Sequence, residues 1–158
     1  FFLLGLPKLR LTDELRGGDN MGITAQPLVR DDRKPEAQVT NSRFFSAAFN
    51  TAIIDGPLRI YFSDQQEADA LRIYFDVQET LGAEGIRLNS FTVGTTPFYL
   101  MLYPTKELFS EIFETTETTA SELFGRSLLL GVNGPADDET RRFISSQILT
   151  AFHNVPSI

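Results

Sequence analysis

The alternation of apolar and polar positions is sharpest between Asp55 and Leu81, where one pentapeptide, Leu-Arg-Ile-Tyr-Phe, occurs twice, at Leu58–Phe62 and at Leu71–Phe75. The first copy follows the turn Asp55-Gly56-Pro57. It places Leu58, Ile60 and Phe62 on one face and Arg59 and Tyr61 on the other, which predicts a strand. The second copy lies within Ser63–Leu81, a run without Gly or Pro. Ser63 and Gln66 make a capping-box pattern, and Asp64 and Glu67 put negative charge where a helix dipole favours it. Ala70, Ile73, Tyr74, Val77 and Leu81 form a stripe at helical spacing, and Gly82 supplies a stop. The same five residues are therefore predicted as strand once and helix once.

The remaining elements follow from the same periodicities. Phe44–Ile54 predicts a strand that pairs with Leu58–Phe62 as a hairpin. Ile86, Leu88 and Val93 bracket another, and Gly94-Thr95-Thr96-Pro97 turns the chain into Phe98–Tyr103 as a second hairpin. The near-continuous apolar character of Phe98–Tyr103 predicts a central strand covered on both faces. Thr105 caps a helix with Leu108, Phe109, Ile112 and Phe113 as its stripe. The branched run Thr115–Thr119 interrupts that helix near Thr116 before it resumes over Ala120–Phe124. Ser127–Val132 is a short buried strand. The last helix starts near Asp137, buries Phe143, Ile144, Ile148, Ala151 and Phe152, and closes at Pro156. The expected fold is α+β, with a mainly antiparallel sheet of about five strands, ββαββαβα along the chain, and helices packed on it.

No such period survives between Pro7 and Ser42, beyond Leu9–Leu15. Gly17-Gly18, Gly22, Pro27 and Pro35 interrupt the segment, and Asp31-Asp32-Arg33-Lys34 is a solvated charge cluster. Residues 1–42 therefore read as an extended N-terminal arm and 43–158 as a single α+β domain. Ordering such an arm costs about 1–2 kcal/mol of backbone entropy per residue, and few apolar side chains offset it. Contacts with other protein subunits through Leu9, Met21, Ile23, Leu28 and Val29 would supply the balance; the alternative is an arm wrapped on its own body. Phe1–Leu6 is too short to span a bilayer, which takes about 20 apolar residues, and no run elsewhere reaches that length. With a first residue other than Met, that hexapeptide reads as the end of a removed targeting or anchoring segment, or as an apolar tail packed on its own domain.

Composition narrows the function classes. The 158-residue chain has 14 Phe, no Trp and 42% hydrophobic residues, which describes one globular domain with a sizeable core. A formal charge of -7 and the absence of any Lys/Arg cluster argue against nucleic acid and against an anionic membrane surface as partners. With no Cys there is no disulfide framework and no thiolate chemistry.

Each candidate for chemistry has a simpler structural account. His153, the only histidine, falls near a helix end where a cation is favoured, and neither a nucleophile elbow nor a second histidine accompanies it. The turn Gly131-Val132-Asn133-Gly134-Pro135 stands where phosphate loops stand, but Pro135 removes a donor and Asp137, Asp138 and Glu139 repel an anion. Glu107, Glu111, Glu114 and Glu117 are spaced to decorate a helix surface. Tyr61, Tyr74, Tyr99 and Tyr103 could line an apolar pocket or fill the core. No cofactor, metal or catalytic residue is implied.

Across Phe44–Leu102, the hydrophobic strand, the Gly-Pro-Leu turn, Ile60-Tyr61-Phe62-Ser63, the helix start with Glu67-Ala68, and Ile86-Arg87-Leu88-Asn89-Ser90-Phe91 together resemble the twenty-two-kilodalton Tic family of the chloroplast intermembrane space and its cyanobacterial relatives. The resemblance implies an α+β, chaperone-like binding protein without catalysis, in a plastid or periplasm-like compartment. The reading that follows is a non-catalytic accessory or scaffold subunit of a larger assembly, anchored by its arm and compatible with peripheral association with a membrane complex. Two alternatives stand beside it: a chaperone-like or apolar-ligand-binding protein with a concave apolar sheet surface, and a small enzyme using carboxylates such as Asp137 or Glu111.

Overall fold

The structure is a computed structural model that describes residues 25–27, 39, 41–91, 96–115, 117–134 and 136–153. Among the described residues, five strands of five to seven residues and a two-residue strand at one end of the order make one mixed sheet, and three helices pack on it. In chain order these are β1 (Gln26–Pro27), β2 (Thr51–Asp55), β3 (Leu58–Phe62), α1 (Glu67–Ala83), β4 (Phe98–Tyr103), α2 (Lys106–Phe113), β5 (Thr119–Phe124), β6 (Ser127–Asn133) and α3 (Asp138–His153). The strand order is β1-β2-β3-β4-β6-β5.

The repeated pentapeptide takes both predicted forms: Leu58–Phe62 is β3 and Leu71–Phe75 lies inside α1. The Ser63 box is present, with the Ser63 side chain accepting from the Gln65 N–H and Gln66 reaching back to the Ser63 N–H. Its first turn is a 3-10 helix, Asp64–Gln66, before α1 proper begins. The stop lies beyond Gly82. Gly85, at φ 76°, takes the left-handed position, and the Ile86 N–H donates to the Leu81 carbonyl at 2.9 Å.

The sheet is mixed and not mainly antiparallel, and the element order differs from the one expected. β3 pairs parallel to β4, and β4 parallel to β6, while β1–β2, β2–β3 and β5–β6 are antiparallel. Two local departures cause this. Leu88–Ser90 is a 3-10 turn and not a strand, because the Ser90 hydroxyl and N–H both donate to the Arg87 carbonyl, at 2.7 and 3.1 Å. Val93 and the turn residues Gly94-Thr95 lie outside the described residues; among the described residues no hairpin partner precedes β4, and α1 supplies the crossover that its parallel pairing with β3 needs. Second, Thr119–Phe124 is an edge strand and not the continuation of a helix. α2 stops at Phe113, with Glu114 left-handed at φ 55°. β5 then joins β6 through Gly125-Arg126, with Gly125 at φ 63° and no positive φ at Arg126, as a two-residue hairpin of the II′ kind requires.

The strand expected over Phe44–Ile54 shortens to Thr51–Asp55. Before it the chain folds into successive turns headed by serines: the Ser42 hydroxyl donates to the Val39 carbonyl at 2.7 Å, and the Ser46 hydroxyl accepts from the Ala48 N–H at 3.0 Å. The turns lay Phe44 and Phe49 across one face of the sheet.

Both faces are covered. α1 and α3 bury Ile73, Val77, Ile144 and Ile148 against Leu58, Ile60, Leu100 and Leu130. On the opposite face Phe109 of α2, with Val39, Phe44 and Phe49, covers Tyr61, Tyr99, Met101 and Tyr103. All six residues of β4 are buried, so the predicted central strand is central. Burial of each such large side chain contributes about 1.5–3 kcal/mol. Gly131 in β6 leaves room for α2, since a Cβ there would lie 2.4 Å from the Phe113 ring and 3.2 Å from Tyr103. We expect Gly131→Ala to push the Phe113 ring aside and cost about 1–3 kcal/mol, read as a lower urea midpoint at unchanged m. An unchanged midpoint would show that the ring shifts freely.

Candidate functional site

In sheets with parallel strands, ligands bind beyond the carboxyl ends where adjacent connections leave for opposite faces. Here β3 leads to α1 on one face, β4 to α2 on the other, and β6 to α3 on the first, so β4 is flanked by two such points. Both are bridged from within. The Tyr103 carbonyl at the end of β4 accepts from the Gly134 N–H at 3.1 Å and, over a long 3.4 Å, from the Gln66 side chain. Asn50 Oδ1 accepts from the Asp64 N–H at 2.9 Å and the Thr51 hydroxyl at 2.8 Å, and Asp69 Oδ2 from the Ala136 N–H at 3.0 Å. The polar groups at this end are engaged with one another.

The helix N-termini are occupied by the chain's own side chains. Thr105 Oγ1 accepts from the Leu108 N–H at 3.2 Å, and Asp137 Oδ1 from the Thr140 N–H at 2.8 Å. Those hydrogen bonds with Thr140 hold the exposed Asp137 carboxyl below its usual range, Arg141 and Arg142 adding to the effect. Asp64, Glu107, Asp138 and Glu139 sit in the first turns, where they repel an anion. The turn after β6 is thus the start of a capped helix, with Pro135 outside the described residues.

The candidate catalytic groups do not converge. Asp137 precedes α3 on one face of the sheet, whereas Glu111 is exposed on α2 on the other. Glu107, Glu114 and Glu117 are exposed as well. His153 lies in the last turn of α3, and its side chain is outside the described residues. Among the described residues, no group of three or more His, Cys, Asp or Glu is placed to hold a metal.

The tyrosines fill the core. Tyr61 and Tyr99 stack with ring centroids 6.2 Å apart, and the Tyr103 hydroxyl donates to the Phe44 carbonyl at 2.5 Å. Tyr74 donates to Asp55 Oδ2 at 2.6 Å, a buried pair linking α1 to β2. An open groove of about 510 Å³ runs between α1 and α3. At it Arg141 Nε donates to Asp76 Oδ2 at 2.8 Å and the guanidinium also meets Asp138, so these three of the groove's charged groups are engaged with one another.

Of the arm, the described parts lie on the chain's own body. Gln26 and Pro27 pair with Ala52 and Thr51, Ala25 packs on the α1/α3 core, and Val39 is fully buried beneath the opposite layer. Leu9, Met21, Ile23, Leu28 and Val29 lie outside the described residues.

What the structure brings out, and sequence reasoning passed over, is the far edge of the sheet. β5 ends the strand order, and its Leu123 is 73% exposed; Phe143, expected in the buried stripe of α3, is 44% exposed. These two are the exposed large hydrophobics among the described residues. The signal for β5 was the Gly125-Arg126 turn between two runs of strand length. No helix among the described residues is long and apolar enough to cross a membrane. Compared with models of known protein families, with curated proteins and with solved structures, the chain matches none.

Proposed function

We propose that this protein is a non-catalytic accessory subunit that works through its surface as part of a larger protein assembly. The observation that carries the reading is the engagement of polar groups at the points where this architecture would build a cleft: both points beside β4 are bridged through the Tyr103 carbonyl, while an apolar side chain stands open on a sheet edge that has no further strand among the described residues. A group that works on a substrate must be free to meet it, and a group that docks must be exposed. The chaperone-like alternative calls for a concave apolar sheet surface, and described residues cover both faces of the sheet except over Ser121, Glu122 and Leu123 of β5. The arm is proposed to contribute with Leu9, Met21, Ile23, Leu28 and Val29, its described portions having already been placed on the domain. Size exclusion of source-cell extract, followed by an antibody to this chain, tests the proposal. We expect elution well above the 17.7 kDa of the chain, with the same partners retained through a second, orthogonal purification. Elution as a monomer would end it.

A further inference from the structure

We propose that β5 is a docking edge that takes an extended segment of a partner protein as an added strand, one that alternates apolar residues with Lys or Arg. The proposal rests on the accessory-subunit reading and names the surface and the chemistry of the partner. β5 has β6 on one side and no strand on the other among the described residues, so one row of its backbone groups has no described strand partner, which is the edge that strand addition uses. On the α1/α3 face, Ser121 and Leu123 are exposed, with no described helix over them. α1 lies over β2 and β3, tied by the Tyr74–Asp55 bond, and α3 extends to Phe98 of β4 through Phe152. On the opposite face Ala120 and Phe124 pack into the core, leaving Glu122 as the exposed residue of that row.

Charge decides the occupant. Glu122 is exposed in β5, Glu114 and Glu117 are exposed in the chain that leads into it, and Arg126 is the one cation in the stretch 114–126. In a two-fold antiparallel pairing that overlaps all of β5 and keeps the sheet faces aligned, Glu122 stands opposite its own copy or opposite the copy's Ala120. Either register sets the Cβ atoms of the two Glu122 residues about 5–8 Å apart, like charges on one face, which disfavours a second copy. A foreign strand with a cation opposite Glu122 and an apolar residue opposite Leu123 satisfies both faces at once.

The test selects a phage-displayed library of random dodecapeptides on the full chain, counter-selecting with Leu123→Lys, an exposed position where folding is not at stake. We expect enrichment of apolar/basic alternation, at least tenfold weaker binding to Leu123→Lys, and slowed amide exchange over 118–124 when peptide is bound. Glu122→Lys should turn the preference to apolar/acidic alternation. No enrichment, binding that ignores both substitutions, or protection elsewhere would overturn the proposal. So would a dimer of the full chain whose association changes with Glu122→Lys, which would assign the edge to a second copy. Failure here leaves assembly through another surface intact, whereas monomeric elution from extract removes the accessory reading whatever the peptides do.

Discussion

Gly56→Ala is expected to lower the unfolding free energy by about 2–5 kcal/mol, although the residue lies in a tight turn outside both cores. Two costs add. Gly56 has φ 58°, and an L-residue held there costs about 1–2 kcal/mol. A Cβ would also stand 2.1 Å from the Leu88 carbonyl oxygen and 2.8 Å from its carbon. The obstacle is backbone, so no rotamer change relieves it, and the 3-10 turn that replaces the expected strand would have to move. Gly125→Ala separates the two costs. That residue has φ 63°, yet a Cβ there meets nothing within 4 Å. It should cost only the conformational share, about 1–2 kcal/mol. Urea titrations of the two variants against the parent decide the matter: equal losses would mean that the Gly56 turn and Leu88 part without resistance.

The same contact explains what the sequence could and could not convey. Elements whose signal is local were legible: the capping box of Ser63, the apolar stripe of α1, the continuous apolar run of β4 and the acidic start of α3 all sit where periodicity placed them. The two copies of Leu-Arg-Ile-Tyr-Phe show that flanking turns and period, not pentapeptide propensity, select strand or helix. Ile86–Val93 misled because spaced branched residues look like a strand, while the deciding bonds are those of Ser90 to Arg87 and the seat that Gly56 leaves for Leu88. The error at Ala120–Phe124 is of another kind. A short edge strand carries a weak alternation, since one row packs and the other faces solvent, and five residues read equally as helix. Strand direction departs with them, since the expected hairpin would give β4 an antiparallel neighbour whereas it pairs parallel with both β3 and β6. The engagement of Gln66 and Gly134 with the Tyr103 carbonyl had no local signal at all, being a contact between segments far apart in the chain.

Stability should fall steeply once the pH rises past about 10, the ordinary pKa of tyrosine. Tyr74 and Tyr103 are both fully buried. Burial raises the pKa of the Tyr74 phenol far above that value, and its hydrogen bond to Asp55 and the nearby carboxylate charge raise it further. Burial raises that of Tyr103 too, with Arg43 opposing in part. In the folded chain both stay protonated while in the unfolded chain both ionise, so above about pH 10 the unfolded state binds fewer protons. Stability then declines with pH by up to about 1.4 kcal/mol per unit for each tyrosine, and the contribution is fully present below the unfolded value. Two units of pH could therefore remove about 5 kcal/mol, comparable to the whole stability of many domains of this size. Chemical denaturation from neutral to strongly alkaline pH, with phenolate absorbance followed in parallel, should show both tyrosines ionising together with unfolding. Tyr74→Phe separates the contributions. It should cost about 1.5–3 kcal/mol at neutral pH by stripping the Asp55 carboxylate of its donor, yet make the alkaline slope shallower than the parent's. If the slope of that variant matches the parent's, Tyr74 ionises as readily folded as unfolded, and the buried pair of α1 and β2 does not hold its proton.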